Sequence, residues 1–362
     1  MRAAEWGLLM KVFKNLSLNG SLVDITSEGG KIISIGKTNS EGVDFGGKKV
    51  FPGLVDIHTH GMGGFDTMDA VLKDMLPLYA KCGTTTVFPT TMTAPHDAIV
   101  KVLTEDVPEN GAKLGGFHLE GPYINEKFKG AQNSAYIRNP DAAEFADFDN
   151  VKMITIAPEL EGAEEFIHKT KAVVALGHTD ADYDTGVKAA QAGAKCLTHT
   201  FNAMRPIHHR NPALIGAASD TGMYVQVICD GKHIHPSAIR LLYKIVGSER
   251  LVLISDSMRA TGLPDGEYEF GGLRIIVKDK TARTESGALA GSTTPLFDCV
   301  KKAIEFGIPE QEAFKMASET PAKLMGLNCG TIAEGKDCDL LILDENTEID
   351  TVIINGEIFN KY

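Results

Sequence analysis

Val50-Phe51-Pro52-Gly53-Leu54-Val55-Asp56-Ile57-His58-Thr59-His60 is the stretch that decides the fold of this chain. Its apolar part reads as a buried strand. Side chains two apart on a strand face the same way. His58 and His60 therefore share one face at the C-terminal end of that strand, where two imidazoles can grip one metal ion. Gly61, Gly63 and Gly64 come next and allow the backbone to turn tightly beside them. Two unrelated histidines produce the same triplet, so the downstream residues have to decide.

Seven more apolar, strand-like runs follow, at residues 84–89, 114–120, 153–157, 173–178, 195–199, 224–229 and 251–255. Amphipathic, helix-like stretches lie between or after them at 69–81, 182–193, 236–246, 295–306 and 309–318. Three of these open with proline, a favoured residue at helix starts. Strand and helix repeated in this way predict a (β/α)8 TIM-type barrel. A glycine-rich, charged stretch from 261 to 284 reads as a hairpin inserted after the eighth strand.

The two ends of the chain differ in texture from the middle. Residues 10–48 and 330–362 carry short strand-like runs broken by Asn-Gly and Gly-Gly pairs. They are expected to build one small β-sandwich domain together. The expected division is 1–49 and 329–362 for that β-domain and 50–328 for the barrel, an α/β fold.

Composition narrows the function. The 362 residues are 43% hydrophobic and 23% charged, as in ordinary globular proteins. Net charge is −12, which argues against general nucleic-acid binding. It leaves room for an anionic small molecule, because distant surface carboxylates are screened over about 10 Å. No run approaches the roughly 20 apolar residues of a membrane span. Leu8-Leu9-Met10, followed by Lys11 and Lys14, is too short for a secretory signal. Cys82, Cys196, Cys229, Cys299, Cys329 and Cys338 form no C-x-x-C pair and read as reduced thiols. A cytoplasmic protein without nucleic-acid or membrane partners is expected.

The ends of the expected strands carry the chemistry. His58 and His60 close the first, Glu120 the third, His178 the fifth, His199 the sixth and Asp256 follows the eighth. In a barrel these positions converge on one rim. Charged groups are rarely buried unless paired or bound to metal, so packing does not account for the set. His118 shares a strand face with Glu120 and is read as a supporting or structural residue. His208 and His209 are read as solvated loop residues. Imidazole plus carboxylate without thiolate suits Zn, Fe, Mn or Co. Such a metal acidifies a water and polarises a carbonyl. A nearby carboxylate can move the proton from that water to a leaving amine. Asp256 is the candidate for this role, and the reaction class is hydrolysis of an amide or related C–N bond.

With these residues in place, the chain resembles the amidohydrolase superfamily and, within it, the N-acetylglucosamine-6-phosphate deacetylases. The broad signals are residues 52–61 and 335–340. The specific ones are His118-Leu119-Glu120-Gly121-Pro122, Gly177-His178-Thr179, His199-Thr200-Phe201-Asn202-Ala203-Met204, Asp230-Gly231-Lys232-His233 and Leu289-Ala290-Gly291-Ser292. The resemblance implies removal of the N-acetyl group from N-acetylglucosamine 6-phosphate, a step of amino-sugar catabolism. It implies one metal on Glu120, His178 and His199, and a second on His58 and His60 with Glu120 shared, so one or two divalent ions per subunit. It assigns Asp256 as general base and acid. It implies substrate contacts from Asn202, Ala203, Arg210, His233, Leu289, Ala290 and Gly291, and from Ala131 and Gln132 in the loop after Glu120. The Arg210 guanidinium is a planar fork suited to phosphate. Relatives can take this arginine from a neighbouring subunit, which implies a homodimer.

The chain departs from the family pattern in two places that bear on substrate. Gln132 stands where many relatives carry histidine, and residues 204–210 differ in detail. Cys338 stands where alanine is usual and reads as a small core residue. A cyclic-amide hydrolase of the same superfamily is the alternative. It typically needs a carboxylated lysine at the metal bridge, and no lysine falls at the end of the fourth expected strand. A non-catalytic scaffold of the same fold is disfavoured because all six ligand candidates are kept.

Overall fold

The computed structural model describes residues 10–361. Leu8 and Leu9 of the N-terminal apolar stretch lie outside the described residues. Eight parallel strands form the barrel. They are Leu54–Thr59, Thr84–Thr91, Phe117–Glu120, Val151–Ile156, Val173–Leu176, Cys196–Leu197, Tyr224–Ile228 and Leu251–Ile254. Each pairs with the next in parallel register. The seam between the eighth and first strands is joined at the ligand-bearing rim. There Asp256 N–H donates to His58 O at 2.9 Å and His60 N–H to Ser257 O at 2.8 Å. Val55, Ile57, Phe88, Met153, Val252 and Ile254 belong to one buried cluster in the barrel interior.

The opening stretch is not one strand. Lys49–Pro52 belongs to the small sheet, pairing with Leu340–Leu343, and only Leu54–Thr59 enters the barrel. Gly53 is the crossing point. A Cβ there would sit 2.8 Å from Thr85 Cβ, too close for any side chain. Register also slips between Asp56 and Thr59. That irregularity lets Val55 and Ile57 join the interior cluster while His58 and His60 still face the barrel axis. Simple alternation from Val55 would have turned the histidines the other way. The third expected strand is broken as well. Lys113–Leu114 is a short separate piece paired with the second strand, and Phe117–Glu120 bridges the second and fourth.

The helices at Leu72–Lys81, Tyr183–Ala192, Pro236–Val246, Leu296–Glu305 and Glu310–Ala317 match the amphipathic stretches. Pro236 takes the first helical turn, and Pro295 and Pro309 are N-caps. Among the described residues, four further α-helices are His96–Leu103, Ala163–Lys169, Ala213–Thr221 and Glu319–Leu324.

Both ends of the chain join one eight-stranded sheet, as expected. Its edge strand Lys31–Gly36 returns to the segment before Leu340: Ile32 N–H donates to Lys336 O and Cys338 N–H to Gly30 O, both at 2.8 Å. The sheet thus closes over a core that includes Phe13, Leu16, Ile25 and Ile342, with Cys338 fully buried among them. The inserted stretch is a three-stranded antiparallel sheet rather than a hairpin: Gly266–Phe270, Leu273–Lys278 and Thr281–Thr284. It packs over the barrel mouth, with the Phe270 ring edge-on to His60 at 5.0 Å. All six cysteines are free, and five of them are buried. No helix among the described residues is long and apolar enough to cross a membrane.

Candidate metal centre

Short strands and tight turns place the ligands. His178, His199 and Asp256 lie just past the ends of the fifth, sixth and eighth strands, and all three adopt left-handed backbone with φ of 48°, 24° and 45°. That conformation costs roughly 1–2 kcal/mol per residue without glycine. It turns each side chain from the strand direction into the mouth of the barrel.

Glu120 is the hub. Its Oε1 lies 2.9 Å from His199 Nε2, and 3.2 Å from both His178 Nε2 and His58 Nε2. Its Oε2 lies 3.2 Å from His60 Nε2. Asp256 Oδ1 is 3.3 Å from His60 Nε2 and 3.6 Å from His58 Nε2. Two triads result, His58-His60-Glu120 and Glu120-His178-His199, each with ligand atoms within 4.8 Å of one another and all buried.

The donor set fits divalent ions. His60 Nδ1 faces Thr90 O at 3.1 Å, His178 Nδ1 faces Phe128 O at 2.8 Å, and His58 Nδ1 faces Gln226 Oε1 at 3.1 Å. An imidazole that donates from Nδ1 in its neutral form presents a bare lone pair at Nε2. Yet His58 Nε2 and His60 Nε2 are 3.3 Å apart. Lone pairs that close repel unless a cation sits between them.

The charge balance points the same way. Burial works against a charged Glu120, but His58 and His178 overcome it and hold its carboxyl well below the usual range. Burial opposes ionisation of Asp256 too, and His58 and His60 again prevail, lowering it. Burial disfavours a charged His60, yet Asp256 and Glu120 push it up to about 10. With side chains alone, the two carboxylates demand protons on their histidines; a metal ion meets the same demand. His118 is pushed well down by burial and by His58, so it stays neutral. Its Nε2 is 2.7 Å from Thr155 Oγ1 and its Nδ1 3.2 Å from Ile57 O, the supporting position expected for it.

A cleft of about 430 Å³ opens above this floor, within the size range of small-molecule sites. Ala131, Gln132, Asn202, Ala203, Leu289 and Gly291 line it. Ala290 is buried behind them. His233 also lines the cleft. Its Nδ1 lies 2.7 Å from Asp230 Oδ2. Burial opposes a charge on His233, but Asp230 outweighs it and raises its pKa, which favours an N–H at Nε2. Arg210 is not brought into the cleft of its own chain. It is exposed, with Nη1 2.8 Å from His209 Nε2. His208 and His209 are exposed loop residues, as expected.

Several residues of the site are not among the sequence candidates, Gln226, Lys127 and Phe201 among them. Gln226 lies within an apolar run and is fully buried. Its Oε1 accepts from His58 Nδ1 and from His199 N–H at 3.4 Å, tying the two triads together. A lone glutamine among Tyr224, Val225, Val227 and Ile228 was the available signal. Lys127, in the short helical turn Glu126–Phe128, and Phe201, inside the 199–204 motif, also line the cleft. The fourth barrel strand ends at Ile156, followed by Ala157, so no lysine reaches the bridging position that Glu120 occupies.

Known proteins resemble the chain over most of its length. The Amidohydrolase family model matches residues 50–359. The N-acetylglucosamine-6-phosphate deacetylase of Bacillus subtilis (strain 168) is 38% identical over 335 residues, covering 85% of this chain and 84% of the relative. The N-acetylgalactosamine-6-phosphate deacetylase of Escherichia coli O157:H7 is 34% identical over 327 residues, covering 85% and 86%. A solved structure of N-acetyl-D-glucosamine-6-phosphate deacetylase from Mycobacterium smegmatis, in complex with N-acetyl-D-glucosamine-6-phosphate, superposes with a TM-score of 0.88. It is 30% identical, with 97% of this chain and 99% of that one covered.

Proposed function

Because the chain belongs to the amidohydrolase family, in the branch of the hexosamine-6-phosphate deacetylases, we propose that it hydrolyses the N-acetyl group of N-acetylglucosamine 6-phosphate, giving glucosamine 6-phosphate and acetate. The observation that carries the reading is Glu120, held between two histidine pairs at the floor of a sugar-sized cleft. The ions proposed are Zn, Fe, Mn or Co, one or two per subunit, on Glu120, His178 and His199 and on His58, His60 and Glu120. Bound there, a divalent ion would polarise the acetyl carbonyl and acidify a water.

The protein's own groups do the rest. Asp256, kept ionised by His58 and His60, takes a proton from the attacking water onto a carboxylate oxygen. As the C–N bond breaks, Asp256 returns that proton to the departing amine. His233 donates from Nε2 to an oxygen of the substrate. Asn202, Ala203, Ala131 and the 289–291 segment hold the sugar phosphate. The cleft excludes bulk water from the buried carboxylates, which strengthens every interaction made there.

Arg210 is proposed to serve the cleft of a second copy in a homodimer, since it is exposed and does not line its own. Arg210→Ala is then expected to raise KM about tenfold or more for N-acetylglucosamine 6-phosphate while leaving unphosphorylated N-acetylglucosamine unaffected. Steady-state kinetics on both sugars checks this, and an equal effect on the two removes the phosphate role. The free, mostly buried thiols support work in a reducing, cytoplasmic compartment.

The reading is tested by acetate release from 6-phosphates of N-acetylglucosamine and N-acetylgalactosamine, with each candidate metal. The expected result is turnover of the glucosamine compound at least as fast as its epimer. Opening of a cyclic imide without acetate release from either sugar phosphate overturns it.

A further inference from the structure

Gln132 sits where the resemblance implies a substrate contact, but its amide is already engaged. The side chain is buried, 2% exposed. Its Nε2 donates to Glu120 Oε2 at 2.5 Å. Its Oε1 accepts from Thr93 N–H at 2.7 Å, and the second N–H side faces Met92 Sδ at 3.7 Å. Both donor hydrogens are thus committed inside the protein, and only a second lone pair on Oε1 remains, beside the Thr93 bond.

The bond to Glu120 has a direction that matters. Glu120 Oε1 faces His178, His199 and His58, whereas Oε2 faces His60. A carboxylate turning about its last torsion exchanges these roles, and that torsion is soft. Gln132 pins Oε2, so each oxygen keeps its own histidine partners. The Thr93 N–H fixes the amide in turn, at the end of the second barrel strand. The neutral amide is suited to this task. A cationic donor at 2.5 Å would cancel the charge that draws a metal; the amide orients Glu120 and leaves it fully anionic.

We propose that Gln132 is a positioning residue: it acts through Glu120 to present both carboxylate oxygens to two metal half-sites, and does not read the substrate. The proposal rests on the metal-dependent deacetylase reading, but its first readout needs no turnover. Calorimetric titration of metal-free protein with Zn²⁺ is expected to show about 10- to 100-fold weaker binding for Gln132→Leu. The Zn²⁺-induced rise in melting temperature should shrink in parallel. In kinetics on N-acetylglucosamine 6-phosphate, kcat should fall while KM stays within about twofold.

Gln132→His keeps a neutral N–H donor in reach of Oε2, and it should restore Zn²⁺ affinity to within about tenfold of native. It also carries the test if metal-free Gln132→Leu fails to fold by circular dichroism. Native Zn²⁺ affinity in Gln132→Leu, or in either variant a KM raised many-fold with metal binding intact, overturns the proposal in favour of a substrate contact. If the native protein releases no acetate, the deacetylase reading fails, and the Zn²⁺ titrations still decide the role of Gln132.

Discussion

Glu120→Gln is expected to strip divalent metal from both halves of the site at once. Each triad contains Glu120, and among the described residues no other buried carboxylate lies between the histidine pairs. The amide keeps the shape but removes the charge that offsets two cations. His58 and His60 keep Asp256 as a partner, whereas His178 and His199 lose the carboxylate they share. Turnover should drop by at least about 10³-fold, since several kcal/mol of carbonyl polarisation disappear with the metal. Stability carries an independent signature. Native protein at a free metal concentration about 100 times Kd gains about 2.7 kcal/mol, and the variant should gain none. Elemental analysis of dialysed protein and melting curves with and without metal check both statements. Stoichiometric metal retained by Glu120→Gln would show that the histidines alone suffice.

Asp256→Asn is expected to separate metal binding from turnover. The Glu120-His178-His199 triad does not include Asp256, so metal content at that half should stay near native. The proton transfers, however, lose their carrier. General acid–base catalysis is worth about 10²–10⁴-fold. Asp256 is assigned both the forward and the return transfer, so a kcat loss near the top of that range is expected, about 10⁴-fold or roughly 5.4 kcal/mol. KM should change little, because the asparagine has nearly the same shape. A variant with native metal content and kcat within about tenfold of native removes Asp256 from the role.

The barrel was legible because its strands are apolar runs separated by amphipathic helices. The ligands were legible because polar residues at the ends of apolar strands have few other reasons to be there. What stayed hidden has physical causes. The division of residues 50–57 between two sheets depends on Gly53 passing under Thr85, a tertiary contact that no local pattern encodes. The helix Ala213–Thr221 is lined on several sides by buried alanine and leucine, so it lacks the polar stripe that marks an amphipathic helix. His96–Leu103, Ala163–Lys169 and Glu319–Leu324 are too short for periodicity to stand out. Gln226 was masked by its apolar neighbours. Gln132 was noticed, but its partner is twelve residues away in sequence and reached only through the turn that follows Glu120. Arg210 reads from its chemistry as a phosphate ligand, but chemistry alone does not say which copy's cleft it faces.

The left-handed backbone at His178, His199 and Asp256 has a consequence for the history of such chains. Glycine would relax all three positions, and asparagine would ease them, but neither supplies an imidazole or a carboxylate. On the proposed function, the need for a metal site and a proton carrier is what would hold three strained residues in place against easier ones. In a duplicated copy released from that need, these codons are where drift meets a stabilising change first. A descendant barrel that has turned to purely structural work should therefore be recognisable by glycine or asparagine at these three turns while its apolar strands are still intact. The present chain keeps two histidines and an aspartate on this unfavourable backbone and has taken neither exchange.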